Sequence, residues 1–430
     1  MSAGHRARSR NPDFLRLWAG AGANLLAVRV GAITYPLLAL WQSNSTRAAG
    51  LVMFAVLLPN LVVQLPAGVL VDRYERRRLM VWCDVGCVLV TGSVAVALVA
   101  GVSGVAHLAG AAFVQGSLCV VHRLAEQSAV PHVVPAGELP AALGRNEARS
   151  RGAALLGQPI GSALLAAGRI LPFVFITVAH LLSLLLLLRI RKNLQHDRDT
   201  APEPVVAAMR SGARWLFGRP FLRTMVLLLS ASNIIFQAMT LALMEIIVRG
   251  HGSVAVVGVI TGLSGLGGMA GALSGRWWTC RISLRTLIIG GFAVWSLVVA
   301  AVAVSGSSVV LALLYTLVGY VGGAVNVTGA VYLIQVTPDA LLGRVNSVAL
   351  LVGMGPAAVG SLLAGLVLDT AGTTLSVLGM SALMCGLTAV AVLSPSLRDG
   401  PAARGTRDEN ADPAATGRHD ERTDTDGKRA

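Results

Sequence analysis

Four acidic side chains stand in or beside long apolar runs, where a carboxylate could carry a proton: Asp84, Glu126, Glu245 and Asp369. A charged group inside a membrane segment is costly, so such residues commonly mark an ion or proton pathway. His107 and His180 could relay the proton, although a histidine in such a run more often serves in packing. The four carboxylates are proton-coupling candidates, and the sequence does not choose between them.

A second group of residues could bind a small molecule, because each places a polar side chain inside an apolar run. These substrate-binding candidates are Asn24, Arg29, Tyr35, Gln115, Gln158, Asn233, Gln237, Tyr315 and Asn326. Hydrogen bonding between helices is the alternative role for each of them. Together they predict a largely apolar cavity with scattered donors and acceptors, which suits an amphipathic substrate better than a sugar.

Arg29 is a cation about twelve residues into the first apolar run, roughly 18 Å along a helix. A cation that faces lipid at this depth costs at least about 2.5–3.5 kcal/mol of membrane-insertion free energy. We therefore expect Arg29 to line the cavity and to contact either an anionic substrate group or an internal carboxylate. Packing against a carbonyl group of a neighbouring helix is the alternative.

Enzyme chemistry has no support in the sequence. Zinc-protease, P-loop and nucleophile-elbow patterns do not occur. Residues 265–270 match a dinucleotide-binding glycine pattern, but they lie inside an apolar run, where glycines serve close helix packing. The five cysteines also lie in apolar runs, and no histidine or further cysteine completes a zinc set near Cys83 and Cys87. We predict no enzymatic activity, no cofactor and no metal site.

The composition indicates the elements that must position these residues. Of 430 residues, 54% are hydrophobic and 13% charged, whereas about a quarter are charged in soluble domains. The mean hydropathy is +0.69, and apolar runs reach about 20 residues, enough to cross a bilayer as a helix. We predict an all-α, polytopic membrane protein with twelve transmembrane helices. They lie near residues 17–41, 48–71, 79–100, 104–124, 147–168, 170–189, 221–248, 254–275, 284–305, 308–335, 345–368 and 373–394.

The order of these spans predicts two pseudo-symmetric six-helix halves, because residues 135–166 and 338–364 resemble each other. The segments are a cytoplasmic N-terminus (1–16), a first bundle (17–189), a central loop (190–220), a second bundle (221–394) and a disordered tail (395–430). Within the loop, residues 204–217 have the apolar spacing of an amphipathic helix on the membrane surface.

The distribution of charge predicts the orientation. The net charge is +14, but the basic residues lie between apolar runs, which indicates membrane topology and no nucleic-acid partner. Among the basic residues outside the spans, only Arg47, Arg169 and Arg249 fall on one side of the membrane. The other side, which carries both termini, is therefore predicted to be cytoplasmic.

A charged motif joins the second and third spans. It consists of Gly68, Asp72, Arg73, Arg76 and Arg77. Gly68 allows close helix approach, while Asp72 is spaced for an ion pair with Arg76 and could face the positive N-terminus of another helix. A loop that merely carries topology charges is the alternative interpretation.

The motif resembles the Gly-x-x-x-Asp-Arg-x-x-Arg-Arg signature of the major facilitator superfamily, in which the facing helix is the eleventh. With residues 11–18, 131–135, 209–222 and 343–345 it resembles the bacterial macrolide, multidrug and enterobactin-type siderophore exporters. The antiporter signature of helix five is degenerate here, at residues 157–162.

The resemblance implies a gating role for the motif and a secondary active exporter of a small amphipathic compound, such as a drug, an antibiotic or a siderophore-like metabolite. It further implies proton antiport with alternating access by a monomer in the plasma membrane. A proton-coupled importer and a non-transporting membrane receptor or scaffold that keeps the fold are the alternatives.

Overall fold

The computed structural model describes residues 12–134, 138–190, 205–250 and 252–398, and every regular element in these ranges is a helix. Most of the N-terminal segment, residues 135–137, the central loop up to residue 204 and the tail from residue 399 lie outside the described residues. The all-α prediction is confirmed.

The first half contains α1 (Pro12–Ser43), α2 (Thr46–Val62), α3 (Gln64–Arg73), α4 (Arg76–Val99), α5 (Val105–Val133), α6 (Leu139–Ala167) and α7 (Leu171–Leu188). After α8 (Val205–Phe217), the second half contains α9 (Pro220–Arg249), α10 (Val254–Thr279), α11 (Leu284–Val304), α12 (Ser308–Val336), α13 (Asp339–Ala371) and α14 (Thr373–Leu393). The short α15 (Pro395–Arg398) follows.

Ten of the helices within the described ranges are long and apolar enough to cross a membrane. The predicted second span is instead divided into α2 and α3, because Pro66 cannot donate to the carbonyl group of Val62 and its ring clashes with that turn. The predicted fifth span begins earlier, at Leu139, and the first part of α6 carries Arg145, Glu147 and Arg149, which lowers its hydropathy.

The packing of the first half repeats in the second. Helix α4 packs against α5 and α7, and its counterpart α11 packs against α12 and α14. Likewise, α1 packs against α6 and α7, as α9 does against α13 and α14. This repetition confirms the predicted pseudo-symmetry of two bundles that run in the same direction.

The two halves meet through α2 with α13 and through α6 with α10. A Cβ atom added to Gly50 would lie 2.8 Å from the Cα atom of Gly365, and one added to Gly262 would lie 2.7 Å from Cγ of Pro159. Gly50 and Gly365 lie near the end of the bundle at which residues 44–45 join α1 to α2, here called the loop-44 end. At the opposite end, where residues 74–75 join α3 to α4, α3 packs mainly against α5 of its own half. This second end is called the motif end.

The predicted amphipathic helix is present as α8, but it does not lie on the membrane surface alone. A Cβ atom added to Gly212 would lie 2.8 Å from the backbone of Arg344, and Arg344 Nη1 lies 3.4 Å from Ser211 Oγ. Leu216 is fully buried. One face of α8 therefore packs against the first turns of α13, so the central loop is attached to the second half.

Candidate proton and substrate site

Asp84 lies at the centre of a buried polar cluster in the first half. Asn24 of α1 donates through Nδ2 to Asp84 Oδ1 at 3.0 Å. His180 Nδ1 of α7 lies 3.5 Å from the same oxygen, and His122 Nε2 of α5 lies 3.5 Å from Asp84 Oδ2. These four side chains are at most 5% exposed. A carboxylate between two imidazole rings, sealed from solvent, is an arrangement that can bind and release a proton.

The cluster continues towards the loop-44 end through two further side chains. Gln115 Nε2 lies 3.2 Å from His180 Nε2, and the Tyr35 hydroxyl donates to Gln115 Oε1 at 2.8 Å. Asn24, Tyr35 and Gln115 were expected to bind substrate. The structure places them in one chain of polar contacts that ends on Asp84.

Towards the motif end, the cluster leads to Glu126, one turn beyond His122 on α5. Arg149 of α6 donates through Nη2 to Glu126 Oε1 at 2.6 Å and through Nη1 to the carbonyl oxygen of Trp18 at 2.9 Å. We name the set from Glu126 through His122, Asp84, Asn24, His180 and Gln115 to Tyr35 the polar chain. Asp84 and Glu126, two of the four carboxylate candidates, thus both belong to the polar chain.

Sequence reasoning missed His122 and Arg149. His122 stands next to Arg123 near the predicted end of the fourth span, where basic residues were assigned to topology. The spacing of Cys119, His122 and Glu126 by three and four residues was an available signal, since it places them on one helix face.

Two cysteines lie beside the polar chain. The Cys87 and Cys119 sulfur atoms are 3.8 Å apart, and a His180 nitrogen lies within 4.8 Å of both. The sequence showed no partner near Cys87 because Cys119 and His180 come from other helices. Both ring nitrogens of His180 already have polar neighbours, Asn24 at Nδ1 and Gln115 at Nε2, so we assign His180 to the polar chain and the two cysteines to packing beside it.

In the second half, several candidates are occupied by backbone groups. Asn233 Nδ2 donates to the carbonyl oxygen of Gly353 at 3.0 Å, and the Tyr315 hydroxyl donates to that of Met239 at 2.7 Å. These two contacts match the alternative interpretation of bonding between helices. Gln158 and Gln237 are half-buried, and Asn326 is exposed on α12.

The other two carboxylate candidates lie at the loop-44 end, apart from the polar chain. Glu245 is fully buried and pairs with Arg249, one turn further along α9, at 3.0 Å. Asp369 is exposed near the end of α13. Neither has a histidine among the contacts that the structure describes for it.

Arg29 is half-buried against α6, where its Cβ atom faces Gly157 closely. Its Nε is buried without a hydrogen-bond partner, and no carboxylate among the described residues forms an ion pair with it. The internal carboxylate that was one expectation for Arg29 is therefore not found in this part of the chain.

The arginines of the charged motif bind carbonyl groups at the ends of neighbouring helices. Arg76 Nη1 donates to the carbonyl oxygen of Ser128 on α5 at 2.9 Å. Arg77 donates to those of Leu187 and Leu188 at the end of α7, at 3.3 and 3.0 Å. Cations at helix C-termini oppose the negative end of the helix dipole. Arg73 is exposed, and the side chain of Asp72 lies outside the described part of the structure.

A two-part helical bundle with charged groups buried across its first half is the architecture of a membrane transporter. The chain belongs to the transmembrane secretion effector family of the major facilitator superfamily, whose profile matches residues 6–418. It is similar to the multidrug efflux pump Tap of Mycolicibacterium fortuitum, with 28% identity over 397 residues, which cover 90% of this chain and 95% of that protein.

Solved transporter structures share the fold. The nucleoside transporter NupG superposes with a TM-score of 0.70 at 13% identity, over 90% of this chain and 100% of that one. A bacterial homologue of the human lysosomal transporter Spinster, in an inward-facing conformation, gives 0.66 at 13% identity, over 90% and 96%. The relatives are transporters, and the chain is not an enzyme.

Proposed function

We propose that this protein is a secondary active exporter of small amphipathic compounds, such as drugs, antibiotics or siderophore-like metabolites, driven by proton antiport. It lies in the cell membrane as a monomer with both termini in the cytoplasm, so the motif end is cytoplasmic. The similarity to a protein named a multidrug efflux pump supports export. The sequence contains no phosphate-cradling loop, which leaves an ion gradient as the energy source.

The single observation that carries the proposal is the polar chain around Asp84. Asp84 lies eight residues into α4, about 12 Å from its first residue at 1.5 Å per residue, so it is well inside the bundle. Proton uptake there changes the charge shared by α1, α4, α5 and α7. Because a ligand shifts a conformational equilibrium only by binding one state better, a proton bound differently in the two states drives the alternation.

The contacts between the halves support alternating access. They are concentrated at the loop-44 end, where Gly50 meets Gly365, whereas α3 at the motif end packs mainly within its own half. This arrangement is the one expected of a transporter closed to the outside and receiving substrate from the cytoplasm. The charged motif, with Gly68, Asp72, Arg73, Arg76 and Arg77, then acts as the gate at the receiving end.

Intracellular accumulation tests this function directly. Bacteria that lack their own efflux pumps are given the wild-type chain, Asp84→Asn, or Glu147→Gln as a control, since Glu147 is exposed and pairs only with Arg151 at the surface. Accumulation of ethidium, a tetracycline, a macrolide and the anionic dye carboxyfluorescein is then measured at equal membrane levels of each protein.

The wild type and Glu147→Gln should lower the accumulation of at least one compound, and Asp84→Asn should not. Higher accumulation with the wild type would identify an importer. Accumulation that matches the empty vector for every compound would favour the receptor or scaffold.

A further inference from the structure

Two positive charges come together inside the first half at Arg29 of α1 and Arg123 of α5. Asn24 of α1 contacts Asp84, which contacts His122 of α5, and Tyr35 of α1 contacts Gln115 of α5. The two helices therefore run antiparallel, and this register places Arg29 and Arg123 at a similar depth in the bundle. Arg123 Nη2 lies 3.4 Å from Gln64 Oε1 at the start of α3, and the Cβ atom of Arg29 lies against Gly157 of α6. Residues of α3 and α6 therefore lie next to the pair, which is itself carried by α1 and α5.

The pair lies next to the space between the two halves. Helices α2 and α6 make most of the first half's contacts with the second half, and α1 packs against both. Arg29 packs against Gly157 of α6, and Arg123 contacts Gln64 of the second span. Both arginines keep some exposed surface, and the position of α1 beside α2 and α6 places them near the region that the two halves enclose.

The positive charge of this region is not balanced by the residues that the structure describes. Glu126 is the carboxylate that acts on Arg123. Glu126, however, is held at 2.6 Å by Arg149, so Arg123 shares this carboxylate with a second guanidinium group. Gln64 offers Arg123 only a neutral and rather long hydrogen bond, and Arg29 Nε has no partner.

Unbalanced cations in a membrane-spanning segment are expensive, and such residues characteristically line a substrate pathway. A guanidinium group also matches a carboxylate, sulfonate or phosphate with two parallel hydrogen bonds. We propose that Arg29 and Arg123 bind the anionic group of the substrate, so that the compounds exported are amphipathic organic anions. The inference rests on the proposed export function and names the substrate class of the same site.

Thiol labelling measures the charge at the site without knowledge of the natural substrate. The full-length chain carries Cys280→Ser and Cys385→Ser, because these are the exposed cysteines whereas Cys83, Cys87 and Cys119 are buried. Arg29→Cys is added, and the parent without it reports background labelling. The probes are an anionic and a cationic methanethiosulfonate, the 2-sulfonatoethyl and 2-trimethylammonioethyl reagents. Arg223→Cys, at an exposed position of α9, gives the reference rates.

The ratio of the anionic to the cationic labelling rate should be about fivefold or more higher at Arg29→Cys than at the reference position. The reason is that Arg123 attracts the anionic reagent and repels the cationic one. Adding Arg123→Gln should remove this preference, whereas Arg123→Lys should keep most of it. Equal relative rates, a preference for the cation, or no labelling by either reagent would each overturn the inference.

A transport panel separates this inference from the proposed function. Vesicles with the wild-type chain are loaded with the anionic dye carboxyfluorescein or the cation ethidium, and Arg29→Gln is compared with Arg223→Gln. The inference predicts that Arg29→Gln lowers export of the anion tenfold or more relative to ethidium. If ethidium is exported independently of Arg29 and the labelling shows no preference for the anionic reagent, the anion site is wrong but the export function remains supported. An anionic labelling preference without any export overturns the exporter but leaves the anion site.

Discussion

At Asp84, a carboxylate with no solvent exposure lies 3.5 Å from the nearest nitrogen of each of two histidines on different helices. Breaking a buried charge cluster by removing one member is strongly destabilising, typically by about 3–5 kcal/mol. For this reason, a loss of transport alone does not distinguish a structural role from proton transfer. The useful experiment is one in which the two roles predict different results.

Exchange transport provides that experiment. Asp84→Asn and His122→Gln should abolish accumulation driven by a pH gradient but retain exchange of labelled for unlabelled substrate, because exchange requires no net proton movement. The measurement compares both rates in proteoliposomes of equal protein content. A variant that loses both rates equally has a structural defect, and pH-driven accumulation at the wild-type rate in both variants contradicts a carrier at this cluster.

Asp72 is the second residue on which function is expected to depend. Asp72→Asn should abolish transport while expression and membrane insertion stay near wild type, because the proposed gating role requires this charge to hold the second span to the eleventh helix in one conformer. Transport is assayed in vesicles beside Glu75→Gln, a change in a neighbouring ion pair with Arg78. Wild-type transport by Asp72→Asn removes the gating role.

At the scale of elements, the contact of α2 with α13 has the sharpest steric requirement. No side chain fits at Gly50, since even a Cβ atom would lie 2.8 Å from the Ser361 carbonyl oxygen and from the Gly365 Cα atom. Overpacking such a contact costs typically about 1–3 kcal/mol, so Gly50→Leu should disfavour closure of the loop-44 end and slow transport about tenfold or more.

The matched control is Gly386→Leu, because a Cβ atom at Gly386 of α14 meets nothing within 4 Å. Both variants are quantified in membranes and assayed for transport. Equal rates for the two variants would show that closure at Gly50 is not part of the cycle.

The element level also shows what sequence can predict. Apolar runs predicted most spans well, because the length of a run is set by the bilayer. The division of the second span at Val63 and the early start of α6 were missed, since Pro66 acts on the backbone of Val62 and charged helix turns have no apolar signal.

The candidate site was predictable only in part. Asp84 and Glu126 could be identified as buried carboxylates in single runs. Their histidine and arginine partners lie 23 to 96 residues away along the chain, and only the packing of α4, α5, α6 and α7 brings them together. Asn233 and Tyr315 were chosen for their polarity, but their partners are carbonyl groups, which sequence cannot locate.

At the scale of the whole molecule, two helical bundles meet at the loop-44 end, and the polar chain lies within the first of them alone. The second half lacks a comparable carboxylate–histidine cluster among its described residues, where Glu245 forms an ion pair with Arg249. The first half is therefore expected to bind the proton, while movement of the two halves against each other exposes the substrate site to either side.

Everted membrane vesicles test proton-driven export most directly, because their outer surface corresponds to the cytoplasm. With an acidic lumen and no nucleotide, wild-type vesicles should accumulate a substrate identified by the accumulation assay, and vesicles with Asp84→Asn should not. Collapse of the pH gradient with an ionophore should release the accumulated compound. Accumulation that persists after the proton and sodium gradients are collapsed, and stops only when ATP is removed, would contradict proton antiport.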